Sequence, residues 1–410
     1  MAPSTPPGTA HHPTPAPSAR LPTSRPNHPT AVLATLTACV FLIGTGEWVM
    51  VGLLPGLAVE LRCPLPAVGS LVTWYALTVT VAGPVVTVGV LRLSRRRALL
   101  GLLVLFTAGN AAAALADGLG TLAAARVATA LTHSTAFATA LVIAVSTVPA
   151  ARRGRAISVV AAGWNLATVL GAPLGTWLGD RYGRRVTFWG IAALTALVLL
   201  AVAVLVRPPE PRTRPAPRAE VRALHGRGPA RVLAVTVLAQ AGLFTVHTYV
   251  SPLLGDVSGF SANAVTLLLA SFGAGALLGN VLGGRLADRT PERALRTTLF
   301  VLAAALVTFT LTSHARPSAA LTVPLLGLVT AALTPLLQER ALAAAPGAPT
   351  LITAVTASAF NLGTAGGSAL GGQALGSGLG LDDLPWLGGL VVTAAAVLAA
   401  FTRPGAHPSP

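Results

Sequence analysis

Two formally charged residues stand well inside long apolar runs of this chain, Glu47 and Arg126. A charge placed in hydrocarbon costs roughly 2.5–3.5 kcal/mol on insertion scales, so each is expected to face a cavity or a partner. If the runs are bilayer-crossing helices, Glu47 sits about ten residues and Arg126 about six below the outer surface, a depth difference of roughly 6 Å. Side-chain reach closes that gap. A cavity carboxylate beside a guanidinium can take a proton from one side and release it to the other, so that proton and solute compete for one site. A static Glu47–Arg126 ion pair that only locks helix packing is the other reading of the same residues. His133 and His247 also lie in apolar runs. Each is either a second proton site or a neutral, hydrogen-bonded imidazole.

The elements that must position these groups follow from hydropathy. Of 410 residues 53% are hydrophobic and 10% charged, with a mean hydropathy of +0.72, whereas soluble domains carry about 25% charged residues. Apolar segments recur at 31–57, 66–91, 98–116, 121–149, 156–179 and 186–206, then at 231–255, 264–284, 297–315, 318–338, 350–374 and 384–402. They are continuously apolar and do not alternate as barrel strands do, so helices are expected. The fold class is therefore an all-α polytopic membrane protein with twelve transmembrane helices in two six-helix halves, 31–206 and 231–402. Residues 1–30 hold nine prolines and no signal-peptide core, which predicts a disordered cytoplasmic tail. The Arg- and Pro-rich stretch 207–230 reads as a cytoplasmic linker, and 403–410 as a short cytoplasmic tail.

Composition also excludes functions. All 28 basic residues are arginine, so there is neither a Walker A lysine nor a Schiff-base lysine, and the chain cannot be its own ATP motor. The net charge of +16 does not point to nucleic acid, because the arginines form short clusters between apolar runs and not one polar face. Cys39 and Cys63 make no disulfide framework. The adjacent His11 and His12 make no metal site, and no cofactor is expected. A membrane-embedded enzyme would need a nucleophile with a base, or a metal constellation, within the bundle. His133 and His247 fall in opposite halves with neither nearby.

Arginine counting orients the chain. With the N-terminus inside, 22 arginines fall on the cytoplasmic side against six elsewhere, as the positive-inside rule requires. Three of the six, Arg181, Arg184 and Arg185, share one tight loop that span parity places outside. An internal repeat supports two halves: Gly89 precedes a basic loop between the second and third spans, and Gly284 recurs 195 residues later in the same place. Such repeats are how many secondary transporters form a midplane site between two bundles.

The loop Gly284-Arg285-Leu286-Ala287-Asp288-Arg289, with the twelve spans and the basic linker, resembles the major facilitator superfamily, specifically its twelve-span drug:proton antiporter branch. The first-half copy departs from that signature, since Leu93 stands where its Asp would be. Span five, from Gly163-Trp164-Asn165 to Gly171-Ala172-Pro173-Leu174-Gly175, is similar to the Gly-rich antiporter motif. Span one, Gly44-Thr45-Gly46-Glu47 to Gly52-Leu53-Leu54-Pro55, resembles relatives that export chloramphenicol, sugars or nucleosides. Gly183, Arg184 or Arg185, and Phe188 fit a Gly-x-Arg-x-x-Phe element that relatives carry in an outer loop.

The resemblance implies roles. Arg126 matches a fourth-span arginine associated with coupling. Trp48, His133, Asn165, Gln240, Phe244, His247, Tyr249 and Asn361 fall in spans near the cavity or the seam between halves. Gly163, Gly171, Gly175, Gly363, Gly366, Gly367 and Gly371 are expected at close helix contacts. Gly284, Asp288, Arg289, Gly171, Pro173 and Gly175 would gate. The expectation is a proton-driven exporter of a small amphipathic drug or metabolite, monomeric, in a bacterial plasma membrane with both termini cytoplasmic. The rivals are an exporter of sugars or nucleosides, a symporter, and a transport-dead sensor.

Overall fold

The computed structural model describes residues 29–90, 93–149, 152–206, 226–346 and 349–401. The expected tails, save Pro29 and Thr30, lie outside the described residues, as do Arg92 and most of the linker. Twelve helical units run through the described residues. In the first half they are α1 (Pro29–Glu60), α2 (Leu65–Val90), α3 (Arg95–Leu115), α4 (Leu119–Ala130 continued by His133–Thr147), α5 (Arg153–Leu166, a π turn Ala167–Gly171, then Ala172–Tyr182) and α6 (Arg184–Leu205). In the second they are α7 (Arg227–His247, resumed at Val250–Pro252 and a π turn Leu253–Val257), α8 (Ala262–Arg289), α9 (Pro291–Thr312), α10 (Arg316–Ala344), α11 (Pro349–Gly376) and α12 (Leu384–Ala400).

Eleven of the twelve are long and apolar enough to cross a membrane. α11 is the exception; it carries no charge, but its Gly, Thr and Ser content makes it less apolar. Side chains such as Leu197 on α6, Leu278 on α8, Phe300 on α9 and Leu321 on α10 are exposed, as an outer surface facing hydrocarbon requires.

Proline accounts for two of the irregular turns. Its ring collides with the carbonyl four residues back and its nitrogen offers no proton. Pro173 thus displaces the ladder at Val169, and Ala172 N–H reaches back five residues to Ala167 O, the π pattern. Pro252 bears on Thr248, and there α7 breaks: Tyr249 leaves the helical region at φ −109°, ψ 15°.

Small residues set the helix pairs. An added Cβ at Gly163 would lie 3.0 Å from Phe41 N on α1, one at Gly171 would strike Thr45, and one at Gly175 would lie 2.6 Å from Val49 Cγ2. The second half repeats this with Gly363, Gly367 and Gly371 of α11 against Val237, Ala241 and Thr245 of α7, and with Gly275, Gly279 and Gly283 of α8 against the α10 backbone. Lipid removes the hydrophobic drive between helices, and the van der Waals contact of such close backbone packing takes its place. Gly366 and Gly284 meet nothing within 4 Å; the α8 contact belongs to Gly283, because one step along a helix turns a residue by about 100°.

The two ends differ. At the far end, where α1, α3 and α5 finish, α8 packs along Ala167–Tyr182 of α5, whereas it barely touches Arg153–Leu166 near the end where α1 begins. Tyr249 is fully buried in the far seam; its hydroxyl donates to Ser368 O (3.3 Å), and Ser368 Oγ donates to Gly69 O of α2 (3.1 Å).

The arginine loop between α5 and α6 lies at this far end. Gly183 turns it at φ 87°, a conformation that suits glycine. Arg184 is buried, donates to Ala113 O (3.1 Å) and Ala116 O (2.7 Å), and pairs with Glu60 (3.0 Å). It thereby satisfies the last carbonyls of α3. Arg185 pairs with Asp117 at 2.8 Å in the open. Arg184→Met is expected to destabilise the detergent-solubilised protein by about 1.5–3 kcal/mol, and Arg185→Met by less than about 1 kcal/mol; thermal unfolding of both variants checks this.

Candidate functional site

The site grows from α1, α2 and α4. On α4, Arg126 and His133 are seven residues apart, two helical turns, and so share a face. The helix breaks between them at Leu131–Thr132, where Thr129 Oγ1 donates to Arg126 O (2.8 Å) and Thr132 Oγ1 to Thr129 O (2.7 Å). Arg126 is 1% exposed. Its Nη1 donates to Gly46 O of α1 at 2.7 Å, and its guanidinium lies 4.3 Å over the Tyr75 ring of α2.

Glu47 is therefore brought to Arg126 without an ion pair between them: the arginine takes the carbonyl preceding the glutamate. Glu47 Oε2 approaches His133 Nδ1 at 3.6 Å and has no hydrogen-bond partner. His133 Nδ1 is also 3.0 Å from the Tyr75 hydroxyl, and its ring stands edge-on to Trp164 of α5 at 5.1 Å. Four groups on three helices thus form one polar cluster. Tyr75 was missed from sequence, although the chain holds only three tyrosines and this one lies ten residues into its helix, near the depth of Glu47.

The cluster opens on a cavity between the halves, lined by Glu47, Trp48, Val51, Val72, Tyr75, Ala76, Arg126, Phe244 and Thr364. It has room for about one water, whereas pockets that hold drug-sized ligands measure about 300–1,000 Å³; solute entry requires the halves to part. Trp48 bridges the seam, with Phe244 at 5.9 Å and His247 at 5.6 Å between ring centroids. Gln240 Nε2 reaches Thr364 Oγ1 at 3.5 Å, so it touches the lining at second hand. Asn165 and Asn361 are not among the lining residues; the Asn361 amide turns back to Ala357 O at 3.1 Å. A second, apolar cavity inside the C-terminal half is lined by His247, Phe272, Leu306, Val323 and neighbours.

The signature residues Asp288 and Arg289 close α8 and are exposed. At that end Glu292 of α9 pairs with Arg340 of α10 at 2.8 Å. Among the described residues no group of three or more metal-ligating side chains is found.

Two six-helix bundles meeting across a cavity that the polar cluster of the first half borders, with proline-broken helices, define a polytopic transporter. The family follows from the chain itself: the Major Facilitator Superfamily model matches residues 36–381, and the chain belongs to that superfamily of transporters. It is 36% identical over 377 residues to the uncharacterized MFS-type transporter YtbD of Bacillus subtilis, covering 90% of this chain and 95% of the relative. It is 33% identical to a chloramphenicol resistance protein of Streptomyces lividans, again over 90% and 95%. Among solved structures it superposes on a bacterial homologue of the human lysosomal transporter Spinster, in an inward-facing and occupied conformation. The TM-score is 0.74 at 17% identity, over 92% of this chain and 97% of that one. The chain is thus a multi-pass membrane transporter and not an enzyme.

Proposed function

We propose that this transporter exports a small amphipathic compound in exchange for protons, by rocking residues 31–206 against 231–402. The observation that carries the reading is Glu47: a carboxylate oxygen without a hydrogen-bond partner, in a cavity between the halves, beside an arginine already held by Gly46 and Tyr75. That oxygen is free to bind either a proton or a solute hydrogen-bond donor, and exclusive occupancy is the simplest antiport rule. Arg126 holds the charge balance, and His133 with Tyr75 offers the nearest proton route.

In this reading the far end is extracellular and the end where α1 begins is cytoplasmic, in a bacterial plasma membrane, with the protein a monomer. The π turn at Ala167–Gly171 with Pro173 and Gly175 lets α5 slide on α1. Gly284, Asp288 and Arg289 act at the cytoplasmic gate beside the Glu292–Arg340 pair. Export is favoured by the chloramphenicol resistance relative. A "probable sugar efflux transporter" of Mannheimia succiniciproducens, 30% identical over 86% of this chain, favours sugar export as the second reading.

The test uses everted membrane vesicles with an inside-acid pH gradient and a panel of antibiotics, dyes, sugars and nucleosides. An exporter draws protons out of the vesicle as solute enters, so at least one amphipathic compound is expected to dissipate the gradient. If only sugars do so, the second reading holds. If sodium restores a response absent with protons, proton coupling fails.

A further inference from the structure

The cavity between the halves also constrains the chemistry of its solute. Formal charge is the first constraint. Glu47 and Arg126 are the charged residues among those lining it, and one carboxylate beside one guanidinium sums to zero. A net cation would gain Glu47 and oppose Arg126, a net anion the reverse, and either would surrender its hydration on entry.

Hydrogen-bonding valence is the second constraint. Glu47 Oε2 and Trp48 Nε1 are both buried without a partner. An ionised carboxylate only accepts and an indole N–H only donates, so the pair calls for one donor and one acceptor on the solute. The third constraint is the wall. Trp48, Phe244 and His247 meet tilted or edge-on with ring centroids 5.3–5.9 Å apart, and His247 continues to Phe272 at 4.6 Å. Beyond them lies the apolar cavity, where His247 is the polar residue of the lining and its Nδ1 also lacks a partner.

We infer that the site takes a net-uncharged solute with a hydrogen-bond donor for Glu47 and an acceptor for Trp48. These are joined to an apolar body that lies against Trp48 and Phe244 and points toward His247 and the second cavity. This rests on the cavity being the solute site, and it adds the charge class and the polarity of each contact. A free sugar does not meet the specification, because most of its hydroxyls would be left unpaired against aromatic walls.

Three amides of naphthoic acid separate the charge classes: the hydroxyethyl amide is neutral, the aminoethyl amide cationic and the carboxymethyl amide anionic at neutral pH. Their Kd values for the purified full chain are measured by equilibrium dialysis. The neutral amide is expected to bind about tenfold tighter than either charged one, about 1.4 kcal/mol. Trp48→Phe keeps an aromatic side chain and removes the N–H together with one ring of the indole; it is expected to weaken the neutral amide about fivefold while the unliganded protein still unfolds in one cooperative transition. The inference is overturned if a charged amide binds as tightly, if none of the three binds, or if Trp48→Phe has no effect on the neutral one. Binding needs no proton gradient. The expected order without gradient dissipation would remove the coupling and keep the solute class, and the reversed order with dissipation would do the opposite.

Discussion

Vesicles carrying Glu47→Gln are expected to give no solute-driven loss of an inside-acid pH gradient, a response equal to that of vesicles lacking the protein. Glutamine matches glutamate in shape and cannot carry the proton. The geometry lets this variant keep its fold, because Arg126 rests on Gly46 O at 2.7 Å and on the Tyr75 ring at 4.3 Å, not on the carboxylate. Solute exchange down its own gradient is therefore expected to persist, reduced about 2- to 10-fold by the changed hydrogen bond. The split between the two assays is what matters. If Glu47 only locked helix packing, both activities and the Tm would fall together. Full gradient-driven transport by the variant would exclude Glu47 as the proton carrier.

The second large effect is expected at Gly69→Leu. Gly69 faces Tyr249 across the far seam, and even a Cβ there would lie 2.6 Å from the phenol Cζ. Its carbonyl also accepts the Ser368 hydroxyl at 3.1 Å. A leucine cannot fit while α2, α7 and α11 are closed on one another. Overpacking of this kind costs about 1–3 kcal/mol, which shifts a two-state equilibrium about 5- to 150-fold toward the state with the far seam open. A cysteine at Ser251, buried beside Tyr249 in α7, reports the shift in a Cys63→Ser background. Membrane-impermeant maleimide is expected to label it faster when Gly69→Leu is present, as net transport falls. Unchanged labelling would mean that the seam does not close through Tyr249.

Much of the fold is legible in the residues. Continuous apolarity over a helix length is a local property, and expected spans such as 66–91 and 264–284 lie along α2 and α8. The prolines are equally local in action: Pro173 and Pro252 break the ladder in their own helices wherever those helices pack. Glu47 and Arg126 were visible because an uncompensated charge in an apolar run is conspicuous from composition alone.

Their partners were not. Whether Arg126 meets a carboxylate or the carbonyl before it depends on the rotation of α1 against α4, which no single helix specifies. Tyr75 and Thr364 went unseen for that reason, since each belongs to the cavity only once α2 and α11 have docked. Asn165 and Asn361 are the converse: polar residues in the expected helices that do not reach the lining.

What the amino-acid sequence determined by itself was the solvent, the number of helices, the doubling into two halves and the pair of buried charges. The doubling follows from a loop repeated 195 residues apart, and the others from the transfer free energy of short segments, which is summed along the chain without reference to neighbours. Only the tertiary structure decided which polar atoms are left without partners, that the far seam closes on Tyr249, and that Glu47 and Trp48 share one cavity. Those are differences of an ångström or of a tenth of a helical turn, set by glycine contacts between helices distant in sequence. In such packing a one-residue change of register exchanges Gly283 for Gly284 and a buried face for an open one.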